Sequence, residues 1–310
     1  AAEEQYTEAI ECLKPMRILE QEGIISALMI SYRQRSQIKR LQGNIEGALK
    51  DLEHSATQQQ NLKAPFHDVQ EILDDWLSLA TYQIELERWQ EALKSLAQAA
   101  ILLRSNDLND LPSEQQTQYQ QSILTQQAKV FEQVNQPLQA LESYDKLLAY
   151  LDPNNNALIW SRHALLRSVL AFSLENHEQN SRLNEVFEVL KQLEEANIER
   201  LELIAPMLGL AELCQNESSE ALKNQALDFY ALTIRCIERS QQSRTEEQHV
   251  QLIAAYSSRA GIYEEQGQTS KALSTYRQAQ RLAKKTSDLN LQADLKLKTV
   301  LVLQSTGKLQ

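Results

Sequence analysis

Apolar positions along this 310-residue chain recur at helical spacing, in pairs of segments joined by short polar turns. Trp76, Leu79, Ala80 and Ile84 fall at i, i+3, i+4 and i+8, one buried stripe of an amphipathic helix. A polar turn at Glu87 and Arg88 follows. Residues 89–103 then carry a second stripe through Ala92, Leu93, Leu96, Ala99 and Leu103. Two stripes separated by a tight turn predict a helical hairpin, and neighbouring segments repeat it.

The repeat has a register. The dipeptide Ala-Leu stands at Ala48, Ala92, Ala140, Ala226 and Ala272, with a large residue four positions on: Leu52, Leu96, Tyr144, Tyr230 or Tyr276. Twelve positions before each alanine lies a small residue: Ser36, Ala80, Ala128, Cys214 or Ala260. Ala27, Ala157, Ala164, Ala221 and Ala231 also precede leucine, but they do not satisfy both offsets. The three-point pattern returns at roughly 44 residues, a period that marks stacked supersecondary units. Between Ala140 and Ala226 the gap is doubled, so one unit lies inside it. Ala171 takes its small position and Leu183 stands where alanine is expected, followed by Phe187 and Leu190. This degenerate unit is expected to pack more loosely.

Punctuation agrees with that register. Turns are expected between hairpins at 61–65, 105–112, 152–156 and 285–288, and within hairpins at Gly43-Asn44, at Asn135-Gln136-Pro137 and at Gly267-Gln268. Pro137 suits a first helical turn, where its missing N–H would be unpaired anyway. Ser113 with Gln116 reads as a capping box. At the ends, residues 6–13 read as the second helix of a unit and 291–304 as the first helix of another, with Gly307 at its turn. The expectation is a single domain over 1–310 of about six hairpins with partial units at both ends, cut from a longer protein.

These residues resemble the tetratricopeptide repeat. The best unit runs Tyr256, Arg259, Ala260, Tyr263, Gly267, Ala272, Tyr276 and Ala279; another runs Trp76, Leu79, Ala80, Ala92, Leu96 and Ala99. Small residues on both helices let a hairpin close, and large ones fill the space to the next. The departure is length, since the family's usual unit has 34 residues. Longer variants of this kind resemble the repeats of kinesin light chains and of bacterial regulators that sense peptides or small ligands. The resemblance implies an all-α, right-handed α-solenoid of antiparallel helix hairpins.

Composition narrows the function classes. Only 7 glycines and 6 prolines leave little room for the turns of a β-protein. Glutamine runs such as 58–60 are interleaved with apolar positions and read as helix surface. A formal charge of −11 speaks against a nucleic-acid surface, which needs clustered Lys and Arg. The basic clusters at 33–40 and 277–285 read as solvated faces. The most apolar segment, 203–213, is short and contains Pro206, so no membrane span is expected. Cys12, Cys214 and Cys236 are odd in number and lack metal spacing, which suits a reducing, cytoplasmic compartment.

Catalytic chemistry is not found in the sequence. Ser305-Thr306-Gly307-Lys308 lacks the upstream glycine and strand of a phosphate loop. Asp152, Asn154 and Asn156 mimic calcium ligands, but Ala157 and His163 stand at the positions of the glycine and the bidentate glutamate, so a turn is expected. His54, His67, His163, His177 and His249 have no partner at i+3 or i+4 for a metal face. Asp74-Asp75 and Glu264-Glu265 are adjacent carboxylates that point apart on a helix, and solvation accounts for them. Trp160 reads either as a staple or as an exposed anchor. No enzyme activity, cofactor or metal is expected.

In tetratricopeptide arrays the first helices of successive units line a concave groove. The resemblance places Arg33, Gln37 and Arg40 there, then Asp74, Ser78 and Thr81, then Thr125, Gln126 and Lys129. Glu212 and Gln215 follow, and finally Ser257, Ser258 and Glu264. The set is polar, mostly uncharged, and lacks the Lys and Asn clamp that some members use for a C-terminal carboxylate. It implies an interaction scaffold that binds a protein or peptide segment. The alternative is a ligand- or peptide-sensing module of a larger bacterial signalling or transcription regulator.

Overall fold

The computed structural model describes residues 2–16, 22–59, 69–104, 111–174, 180–196, 198, 201–240, 244–286 and 288–305. Among these residues the chain forms fourteen α-helices, a three-residue 3-10 turn at Leu201–Leu203, and no strand. The expected turns at 61–65 and 105–110, the histidines at 67 and 177, the glutamine at 60 and the glycine at 307 lie outside the described residues, as do the side chains of the glutamines at 58 and 59.

Two compact units divide the chain, Ala1–Tyr150 and Leu151–Gln310. The first holds α1 (Ala2–Met16), α2 (Glu22–Leu41), α3 (Ile45–Gln59), α4 (Val69–Glu85), α5 (Trp89–Leu102), α6 (Ser113–Gln133) and α7 (Pro137–Ala149). The second holds α8 (Ala157–Ser173), α9 (Asn180–Glu195), α10 (Ile204–Asn216), α11 (Glu220–Arg239), α12 (Glu246–Glu265), α13 (Thr269–Ala283) and α14 (Leu289–Ser305). Helices pack as the hairpins α2–α3, α4–α5 and α6–α7 in the first unit, and α8–α9, α10–α11 and α12–α13 in the second. Helix α1 packs on α2, and α14 on α13. Successive first helices also touch: α4 meets α6, α8 meets α10, and α10 meets α12.

The three-point pattern is the closing contact of these hairpins. Ala48, Ala92, Ala140, Ala226 and Ala272 are fully enclosed, and so are Ala80, Ala128, Cys214 and Ala260, with Ser36 at 1% exposure. No side chain larger than these fits where two helix backbones come this close. Ser36 shows the contact directly, its Oγ donating to the Ala48 carbonyl at 2.9 Å. The large residues four positions on bury their bulk and, where they are tyrosines, find polar partners on the first helix. Tyr144 donates to Glu132 at 2.9 Å, Tyr230 to Gln215 at 2.9 Å and Tyr276 to Glu264 at 3.2 Å. Burial pushes the Tyr230 hydroxyl up to about 12 and raises that of Tyr276 as well, so both remain donors at neutral pH.

Four hairpin turns share one geometry. The residue five positions before the pattern alanine has positive φ: Gly43 at 80°, Glu87 at 57°, Asn135 at 56° and Gly267 at 69°. The next N–H reaches back five residues in each, as in Arg88 N to the Gln83 carbonyl at 2.7 Å and Gln268 N to the Tyr263 carbonyl at 2.8 Å. These are the paired bonds that satisfy a helix C-terminus around a left-handed residue.

The degenerate unit is present as α8–α9, with Ala171, Leu183 and Leu190 all buried. Phe187 is half-buried and meets Phe229 edge-on, ring centroids 5.7 Å apart. Trp160 is enclosed in the core at 4% exposure, which excludes the exposed anchor. Asp152 organises the turn before α8 by accepting from the Asn154 N–H at 2.9 Å and the Asn155 amide at 2.6 Å. The capping box expected at Ser113 is absent. Pro112 is the N-cap residue, Ser113 is the first residue of α6, and Gln116 donates back to the Leu111 carbonyl. A full capping box stands instead at Thr245 and Gln248.

Candidate binding face on the first helices

Within the first unit, α2, α4 and α6 present the side chains that the resemblance assigns to a groove. Four of them converge. Arg33, Gln37, Asp74 and Ser78 line one cleft between α2 and α4, of about 180 Å³, together with Ser36, Leu52, Glu71, Asp75 and Tyr82. A second cleft of about 350 Å³ lies between α4 and α6, lined by Gln70, Asp74, Leu77, Gln115, Gln118, Tyr119 and Ser122. Asp74 belongs to both. Its carboxylate accepts the Tyr119 hydroxyl at 2.7 Å.

The charged members of the face are largely committed to the fold. The Arg33 guanidinium forks onto Asp75, with Nε to Oδ1 at 2.7 Å and Nη2 to Oδ2 at 2.9 Å, and Nη1 reaches Glu71 at 2.9 Å. Ser55 donates to the same Asp75 carboxylate at 2.8 Å. Burial pushes the Asp75 carboxyl up against the pull of Arg33. Burial opposes the charge on Arg33 as well, but its bonds to Asp75 and Glu71 outweigh that and hold it protonated. Next to this pair, Arg35 and Lys39 both clasp Asp51, at 2.6 and 2.8 Å. Arg40 meets Glu85 at 2.7 Å and lies over the Tyr82 ring.

Two sequence expectations are therefore corrected. The basic cluster at 33–40 is a set of ion pairs, not a solvated face, because carboxylates from α3 and α4 meet it. Asp74-Asp75 is not explained by solvation either: Asp75 is 2% exposed and persists there because Arg33 and Ser55 satisfy it. Glu264 and Glu265 likewise take Tyr276 and Lys223 as partners. The cluster at 277–285 does keep Arg277, Arg281, Lys284 and Lys285 exposed.

The missed pairs carry a signal that the sequence contains. Arg33–Asp75, Arg88–Glu46 and Lys223–Glu265 are 42 residues apart, Arg235–Glu194 41, and Arg40–Glu85 45. Opposite charges one repeat length apart fall in register on neighbouring hairpins.

The remaining assigned residues divide by use. Thr81 and Thr125 return their hydroxyls to carbonyls of their own helices. Lys129 is exposed, and Gln126 has an enclosed Oε1 with no hydrogen-bond partner. In the second unit Glu212 and Gln215 stand on α10, and Ser257, Ser258 and Glu264 on α12. Gln215 and Glu264 accept the tyrosine hydroxyls described above, and Ser258 hydrogen-bonds Tyr230. By contrast, Gln37, Ser78, Gln115, Gln118 and Ser122 make no side-chain hydrogen bond or ion pair among the described residues. Those same residues hold no group of three or more His, Cys, Asp or Glu that could bind a metal, and no helix long and apolar enough to cross a membrane.

No family model matches the chain, and no curated protein matches it in sequence. Solved structures do match in fold. One is a Signal Transduction ATPase with Numerous Domains protein with a tetratricopeptide repeat sensor, from Pyrococcus horikoshii, at 16% identity and a TM-score of 0.59. The match covers 99% of this chain but 45% of that one, so this chain spans less than half of that protein's length. Another is the C-terminal part of a TPR repeat-containing protein from Cytophaga hutchinsonii, at 12% identity and a TM-score of 0.55, with 93% of each chain covered. With the hairpin register, these likenesses identify the fold as an all-α solenoid of tetratricopeptide-like helix hairpins.

Proposed function

We propose that this chain is a protein-interaction module whose α2/α4/α6 face receives an extended partner segment, and that it binds rather than catalyses. The observation that carries the reading is the pair of clefts on either side of α4, joined at Asp74. Arg33, Ser36, Asp74, Asp75 and Tyr119 are engaged within the fold, yet Gln37, Ser78, Gln115, Gln118 and Ser122 are left unspent around these clefts. Amide and hydroxyl groups so arranged can pair with the N–H and C=O of a peptide main chain, which an extended segment leaves free.

A phage-displayed dodecapeptide library panned on the full chain supplies the probe. Peptides so selected should bind Ser78→Trp and Ser122→Trp at least tenfold more weakly than the original chain, with unchanged circular dichroism. Selected peptides that bind both variants equally well would remove the reading.

A second reading is a sensor module of a larger signalling protein. It is motivated by the fold likeness to a protein whose tetratricopeptide repeats are a sensor. A complete reading frame that adds a nucleotide-binding domain on either side would support it; one that adds no further domain on either side would sink it.

A further inference from the structure

Another cleft of the first unit is flanked by α3 and α5 and floored by α4, with a volume of about 510 Å³. Its floor is Trp76, Leu79, Gln83 and Ser95, all buried. Its exposed rim includes His54, Lys94 and Gln98. This size falls within the range of small-molecule sites, which combine an apolar wall with a few polar groups.

One donor at the floor is unused. Gln83 is 4% exposed, and its Oε1 accepts the Ser95 hydroxyl at 2.7 Å, while its amide nitrogen has no acceptor among the described residues. It lies in the cleft wall without counting among the fully enclosed unpaired atoms, so the cleft is where it meets an acceptor. The Trp76 indole N–H is enclosed within the fold, so Trp76 offers the cleft its ring.

Charge at the rim selects the ligand. Lys94 has no counter-ion among the described residues, whereas Glu91 meets Arg88 at 3.7 Å and Glu53 engages another group of the chain. His54 stacks on Tyr32, ring centroids 5.1 Å apart, and its Nδ1 is taken by the Lys50 carbonyl. The uncommitted groups are thus a cation and an amide donor beside an indole and a leucine. We propose that this cleft binds a small planar carboxylate, its ring against Trp76 and Leu79 and its carboxylate taken by the Gln83 amide and Lys94. The proposal is independent of the peptide-binding face.

Indole-3-acetate titrated into the 15N-labelled full chain is the probe, with the Trp76 indole N–H and the Gln83 amide as reporters. Both resonances should shift saturably, and Lys94→Glu should weaken binding at least tenfold, since Lys94 is exposed and its replacement leaves the core intact. Tryptamine, a cation of similar shape, should bind more weakly than indole-3-acetate. No saturable shift up to about 10 mM, equal binding by Lys94→Glu, or tighter binding of tryptamine would each overturn the proposal.

Discussion

Glycine at position 87 should make the first unit more stable, although Glu87 sits on the surface and no bond is lost or gained. Glu87 closes the α4–α5 turn at a φ of 57°, the same place that Gly43 and Gly267 occupy in their hairpins. A side chain in this left-handed region costs about 1–2 kcal/mol, because Cβ crowds the following carbonyl oxygen. Glycine gives back about 0.5–1 kcal/mol through its freer unfolded chain. Glu87 is exposed and its side chain makes no hydrogen bond or ion pair among the described residues, so no other term enters. Glu87→Gly should therefore stabilise by about 0.5–1 kcal/mol. Urea unfolding followed by far-UV circular dichroism should show a higher midpoint at unchanged slope in the transition that carries this unit. The reverse changes calibrate it. Gly43→Ala and Gly267→Ala should each destabilise by about 1 kcal/mol, through φ alone, because an added Cβ meets nothing within 4 Å at either place. Asn135→Gly should gain less, since asparagine tolerates the region better than glutamate. A lower midpoint for Glu87→Gly would refute the shared-turn reasoning.

Two further perturbations test the polar interior. Asp75→Ala strips the half-buried Arg33 of its forked carboxylate and should cost about 3 kcal/mol; the double replacement Arg33→Met with Asp75→Leu should restore most of it, as burying two charges is itself expensive. A double variant as unstable as the single one would show that packing, not charge, is at stake. His163 in the second unit is 8% exposed, and burial with the nearby Arg162 charge lowers its pKa from 6.5 to about 4. The unfolded chain then binds the proton more tightly, so stability is full above pH 6.5 and falls as pH drops towards 4, by at most about 3 kcal/mol. Denaturation midpoints between pH 7 and pH 4.5 should lose part of that slope in His163→Gln, and identical slopes would exclude His163 as its source.

The hairpins could be read from the sequence because steric closure leaves a local mark. Ser36, Ala80, Ala128, Cys214 and Ala260 must be small wherever two backbones meet, and the fixed offset to alanine follows from helix length and turn geometry. The capping box at Ser113 was misplaced because Pro112 is extended, with ψ at 140°, and itself occupies the N-cap. The charged face was misread for a different reason. Arg33 and Asp75 are 42 residues apart, and only the stacking of one hairpin on the next turns that distance into a 2.7 Å contact. Four of the residues assigned to the groove came together around one cleft because they lie on facing sides of α2 and α4. Gln215 and Glu264 did not stay free, since the tyrosines that fill the space between helices also need acceptors. The cleft over Trp76 leaves no mark in the sequence, because Trp76 and Leu79 belong to an ordinary core stripe and Lys94 to an ordinary surface.

The most direct test of the account uses a selected dodecapeptide carrying a benzophenone side chain, photo-crosslinked to the full chain and mapped by mass spectrometry. Adducts on α2, α4 and α6, around Gln37, Ser78 and Gln118, are the predicted result. Adducts confined to α3, α5 and α7 would contradict the claim that the first helices form the binding face.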